Sequence, residues 1–332
     1  MSTPRHLPVL LCCLSLLAIL GCNKAAEPSD SLEVASVGIQ SGAFTTDGHF
    51  AIVGSVHQGG SLWGTEKNER LFNWNHQAGQ LSSLIAVDFS PDGKWALTAE
   101  VHTLVLWNRE DGSAPRYWTA PGEVLDVALS ANGNFALLGM SDHTAVIFDI
   151  RRGGILQKFQ HNGRVRSVDL SSDNQIAITG SEDGSAVLWD TSTGKRLFEL
   201  SHDEEVTQVL ISADGKRALS AAKYDKTIVW DTTNGQVLGE IPIPKERLKR
   251  GVKFSAAQFN PDGSLLLTGL PDREVQLWNL TTFQEIDRWL VPKRDPWKPT
   301  SAAIIAVSFT TDPKRFKAMA SNGFIHQLDR SE

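Results

Sequence analysis

The sequence predicts an all-β chain in which one four-stranded antiparallel unit is repeated seven times and closed into a ring by a strand from the N-terminus. Three observations carry this. A block of about 41 residues recurs with the same internal order of segments. Each block contains short segments of period two separated by tight polar turns. The last block stops one segment short, and an unassigned alternating segment stands at the other end of the chain.

The repeats are plainest in mid-chain. VLDVALSANGNFALLGMSDHTAVIFDI from Val124, VRSVDLSSDNQIAITGSEDGSAVLWDT from Val165 and VTQVLISADGKRALSAAKYDKTIVWDT from Val206 start 41 residues apart. Related copies begin near Ile85 and Ser255, and weaker ones near Ser41 and Ile304. In each, a short alternating segment leads to a turn such as Pro91-Asp92-Gly93 or Asp214-Gly215. Gly and Asn supply the positive φ that such turns often need. A second β-rich segment, another turn and a third segment follow, and a weaker fourth closes the unit. No helical period of useful length appears.

The third segments end at Trp74-Asn75, Trp107-Asn108, Phe148-Asp149, Trp189-Asp190, Trp230-Asp231, Trp278-Asn279 and Leu328-Asp329. From the turn residue to this position the spacing is 16 in five copies and 15 in the second. It stretches to 27 in the first, from Asp47 to Trp74, which predicts an insertion at His57–Glu69.

This grammar resembles the WD40 repeat over about residues 32–332. The resemblance implies a β-propeller whose seven four-stranded blades surround a central channel. It also implies a buried network of His, Ser or Thr, Asp and Trp inside a blade. His161, Thr179, Asp183 and Trp189 match that network in the fourth blade. The fifth keeps His202, Ser220 and Trp230, with Asp225 one place late. A Ser-His-Asp set invites a nucleophilic reading, but the family buries these residues, and buried polar groups are nearly always satisfied in this way. Leu32–Val37 is expected to complete the seventh blade, since an open row of sheets would leave edges exposed.

The N-terminus reads as a targeting signal. Arg5 precedes an apolar run from Leu7 to Leu20, too short for a membrane span. Ile19-Leu20-Gly21-Cys22 resembles the lipobox of bacterial lipoproteins, which implies cleavage before Cys22 and a diacylglycerol on its thiol. A plain signal peptide is the alternative. The expected organisation is therefore a signal peptide over 1–21, a lipidated Cys22 with a polar tether over 22–31, and the propeller over 32–332. In a bacterium with two membranes, Asn23 resembles the family's outer-membrane sorting pattern, which implies a lipid anchor at the periplasmic face of the outer membrane.

Composition narrows the function. The formal net charge is −6, a poor footprint for nucleic acid. All three cysteines lie within the first 22 residues, so the body of the chain has no disulfide framework or cysteine metal site. No Walker loop, HExxH, EF-hand or G-x-S-x-G pattern occurs. The reading is a non-enzymatic scaffold that binds a protein partner, without cofactor or metal. The competing class is an enzyme or small-ligand receptor using the channel.

The expected contact surface is one rim. Pro242–Lys253 and Val291–Ser301 are further insertions, and with His57–Glu69 they fall on neighbouring blades. They bring Lys245, Arg247, Lys249, Arg250, Lys293 and Arg294, with Trp63 and Trp297 outside the repeat grammar. Exposed aromatic and Arg side chains are common interface anchors, and the basic ones suit an acidic partner or lipid headgroups.

Overall fold

The structure is a computed structural model that describes residues 25–249, 252–298 and 302–330. Among these residues, strands form seven four-stranded antiparallel sheets, each of them one blade. Blades one to six are continuous in sequence, over 39–73, 86–119, 124–160, 165–201, 206–241 and 256–290. Blade seven takes three strands from 304–329 and its fourth from Asp30–Glu33.

Blade four shows why these segments become these strands. The second and third strands, Ile176–Ser181 and Ser185–Asp190, are buried almost throughout because neighbouring blades cover both faces. The fourth, Arg196–Ser201, is mostly exposed, as an outer strand must be. Cores form between blades: Leu97 and Leu106 of blade two pack with Val127 and Leu138 of blade three. Burying such side chains stabilises by roughly 1.5–3 kcal/mol each.

The turn between first and second strands is built alike in most blades. A hydroxyl at its start donates to the carboxylate two residues on, as Ser90 does to Asp92, Ser171 to Asp173 and Ser212 to Asp214, each at 2.6 Å. The left-handed position that follows holds Gly215 in blade five, at φ 70°, and Asn174 in blade four, at φ 59°. Gly adopts this region without the steric cost other residues meet.

Blade one departs from the expected layout. Its second and third strands, Phe50–Ser55 and Gly59–Gly64, are joined by only three residues. Trp63 lies in the third strand opposite Ala51, as Trp189 lies opposite Ala177 in blade four. Trp63 is therefore the repeat tryptophan of blade one, 16 residues after Asp47, and His57–Glu69 is not an insertion. The additional chain lies at 74–85, between blades one and two. Its start, Trp74, is fully buried.

The ring closes as expected, two residues earlier than the sequence pattern suggests. Asp30 pairs with Gln327 and Glu33 with Phe324. The amides of Val34 and Ala35 both donate to Gly323 O, which turns the chain towards blade one. Before that strand, Ala26 bridges to the outer strand of blade six, donating to Arg288 O and accepting from the Leu290 amide, both at 2.8 Å. Lys317 of blade seven reaches into blade one and donates to Gly48 O and to the Thr65 hydroxyl at 2.7 Å. A short helix, Lys245–Lys249, occupies the connection between blades five and six. No helix among the described residues is long and apolar enough to cross a membrane.

Candidate functional site

Two kinds of polar constellation lie inside the ring and one kind of surface outside it. In blade four, the Thr179 hydroxyl sits between His161 Nε2 at 2.7 Å and the donating Trp189 Nε1 at 2.8 Å. His161 Nδ1 meets Ser185 Oγ at 3.0 Å, and Ser185 donates to Asp183 at 2.6 Å. The Asp183 carboxylate also accepts the Asn162 and Ser185 amides. Burial raises the Asp183 carboxyl, but the Ser185 hydroxyl and these amides outweigh it and draw it down to about 2. Burial lowers the pKa of His161. Thr179 is fully buried.

The same arrangement stands in blade two, where the sequence reading missed it. His76 Nε2 meets the Thr98 hydroxyl at 2.9 Å, and Trp107 Nε1 donates to that hydroxyl at 2.8 Å. His76 Nδ1 meets Thr103, which donates to Glu100. Burial lowers His76 to about 4. The available signal was a Thr nine residues before the repeat tryptophan, in a blade whose turn is one residue shorter. In blade five, His202 Nε2 meets Ser220 at 2.8 Å, and the late Asp225 still reaches His202 Nδ1 at 3.4 Å.

The channel is a cavity of about 340 Å³ lined by the first strands. Three half-buried carboxylates enter it from adjacent blades, and each accepts an amide from the next blade. Asp88 accepts from Leu129 at 2.7 Å, Asp126 from Val168 at 2.9 Å and Asp169 from Ile211 at 2.7 Å. Gln258 does the same for Phe309. Burial raises all three carboxyls, Asp169 to about 7, Asp126 to about 6 and Asp88 well above the ordinary range. These groups fasten blade to blade. Among the described residues no group of three or more His, Cys, Asp or Glu side chains could hold a metal ion.

The surface is strongly sided. Connections between blades, and turns between second and third strands, all emerge on one face, here termed the loop face. Val37, Val56, Leu81, Val101, Tyr224 and Trp297 are exposed large apolar residues on that face. The other exposed ones among the described residues, such as Ile155, Leu156 and Val237, lie on outer strands.

The rim residues separate into two groups. Arg247 is tied down by Asp272 and, at 2.9 Å, by Glu274. Arg294 donates to Asn322 O at 2.8 Å, to Glu33 at 2.8 Å and to Ala35 O at 2.6 Å, and lies over the Phe324 ring. Trp63 is a blade residue whose Nε1 donates to Ser61 at 2.9 Å. The side chains of these three are engaged in contacts within the fold. Trp297 is 94% exposed, and Lys293 lies in the same loop, partly exposed. Lys245 and Lys249 lie in the short helix. Arg250 and Cys22 are outside the described residues.

The family model described as WD domain, G-beta repeat, matches residues 153–190, which span the outer strand of blade three and the first three strands of blade four, and residues 249–279, which reach through the third strand of blade six. The chain is a WD40-repeat β-propeller. No curated protein matches it. WD40 propellers commonly mediate protein–protein interaction and are typically non-catalytic scaffolds. In this WD40 propeller the His-Thr-Trp sets are buried in the manner of a structural network.

Proposed function

We propose that this WD40 propeller is a non-catalytic scaffold lipoprotein of the cell envelope, acylated at Cys22, which presents its loop face to a protein partner. The observation that carries the reading is the sidedness of the exposed apolar side chains. The sets of blades two and four and the three channel carboxylates are engaged in internal hydrogen bonds, while the loop face offers exposed apolar and basic side chains to a partner. On its blade-five side, exposed Tyr224 stands beside Lys223, and the connection that leaves the same blade holds the helix carrying Lys245 and Lys249. That combination suits an acidic protein surface, with basic groups steering encounter and the aromatic ring slowing dissociation.

Two experiments test it. Cys22→Ser should release the protein from membranes or leave its signal uncleaved, and unchanged fractionation would exclude the anchor. Affinity purification from native membranes should recover a partner that is lost on combining Tyr224→Ser, Lys249→Ser and Arg250→Ser. Retention of every co-purifying protein by the folded variant would move the site away from this face.

A further inference from the structure

The loop between blades six and seven and the N-terminal segment are one piece of surface. Ala26 is hydrogen-bonded on both sides to the end of blade six, at Arg288 and Leu290, where that loop begins. Further along the loop, Arg294 donates to Glu33 and to Ala35 O. Three residues on, Trp297 projects into solvent, with its amide held by Asp295 at 3.0 Å. Val37 follows Ala35 and is 58% exposed. Val56 is joined to the same segment, since its amide donates to Gly38 O at 3.1 Å, and is 42% exposed.

A bare tryptophan with two exposed valines is a costly surface to leave in water. Its charged groups nearly cancel: Arg294 pairs with Glu33 and Lys298 with Asp295, and Lys293 stands against Glu27 and Asp30 of the N-terminal segment. Cys22 stands only four residues before Ala26 in sequence. That span reaches at most about 14 Å when fully extended. A lipid on Cys22 would therefore hold this patch close to a bilayer.

We infer that Trp297, Val37 and Val56 seat in the headgroup region of a bilayer, so that the propeller stands on the rim of blades six, seven and one. The orientation rests on acylation at Cys22; the affinity of the patch for lipid does not. Trp rings favour the membrane interface, where an apolar body and a polar N–H are both satisfied. Lys293 and Lys298 can lay their stems along that boundary and keep their ammonium groups at the phosphates. Leu81, Val101 and Tyr224 lie on loops that make no such junction with the N-terminal segment, and this posture leaves them free.

The test uses the full chain on vesicles of phosphatidylglycerol and phosphatidylethanolamine whose acyl chains carry bromine, which quenches tryptophan within the lipid. Wild-type emission should be quenched, and Trp297→Phe should lose most of that quenching. Ser192→Trp in the Trp297→Phe background places a tryptophan on the opposite face and should restore none of it. Mass analysis of the N-terminal peptide from the same preparation reports acylation separately. An acylated chain with unquenched Trp297 would overturn the membrane patch and leave the anchor standing. Quenching without an acyl group would keep the patch and overturn the anchor. Should Trp297 stay unquenched and instead become shielded by a co-purifying protein, the patch belongs to that protein and the inference fails.

Discussion

Trp74 of the blade-one connection lies on Trp107 of blade two, ring centroids 5.3 Å apart and planes within 14° of parallel. Phe159 stands on Trp189 in the same way two blades further on, at 4.9 Å. One large ring thus covers the repeat tryptophan of the following blade. Trp74→Ala should cost about 3–5 kcal/mol, since it empties a fully buried site. Trp297→Ala should stay within about 0.5 kcal/mol, as exposed substitutions do. Urea unfolding of the two variants checks both, and equal losses would contradict the stacking account.

The networks of blades two and four should act independently. Thr179→Val removes the hydroxyl shared by His161 and Trp189, and Thr98→Val removes the one shared by His76 and Trp107. Each should destabilise by about 1–3 kcal/mol through unsatisfied buried groups. The double variant should lose the sum to within about 0.5 kcal/mol, because the sites share no partner. Denaturant midpoints of the single and double variants measure this.

The channel carboxylates should make stability fall as pH rises. Folding raises Asp126 to about 6 and Asp169 to about 7. The folded state then binds more protons than the unfolded chain between the ordinary carboxylate range and those values. Stability is lost across that window and levels off above it. The buried histidines act oppositely: His76 and His326, both lowered to about 4, cost stability as pH falls below about 6.5. Asp169→Asn isolates the carboxylate. Its melting temperature relative to wild type should improve between pH 5 and 8, and a constant difference would contradict the assignment.

Closure depends on Arg294 more than its place in a surface loop suggests. Arg294→Ser removes contacts with Glu33, Ala35 and Asn322 together, and should lower stability by about 1–3 kcal/mol. Lys293→Ser should leave stability within about 0.5 kcal/mol. Deleting residues 25–33 should expose the edge at Phe324–Asp329 and promote aggregation. Thermal melts with light scattering distinguish these outcomes.

Seven blades, their order and the closing strand were legible because each repeat states its own turn and, in all but the third and seventh, its own tryptophan. Trp63 was misread because Trp74-Asn75 imitates the end of a third strand, whereas Trp63-Gly64 lacks the acidic or amide residue. The 16-residue spacing from Asp47 and the pairing with Ala51 both single out Trp63. The roles of Arg294 and Lys317 were out of reach for another reason. Their partners, Glu33 and Thr65, stand 261 and 252 positions away, and no local pattern encodes such pairings. The channel carboxylates fall at positions where a period-two strand tolerates any polar residue, so their blade-to-blade bonds emerge only from the curvature of the ring.

The amide of Ser29 donates to Gln327 O at 2.9 Å, and the two residues are 298 positions apart. The chain's earliest-made strand must therefore wait, unpaired, for its latest-made neighbour. Six blades can assemble in order behind the ribosome, but the circle has no latch until the strand Phe324–Asp329 emerges. Such distant pairing makes folding slow and leaves partial forms sticky. A premature stop before Phe324 would yield a product with two raw ends, suited to capture by quality control and unable to ripen with time.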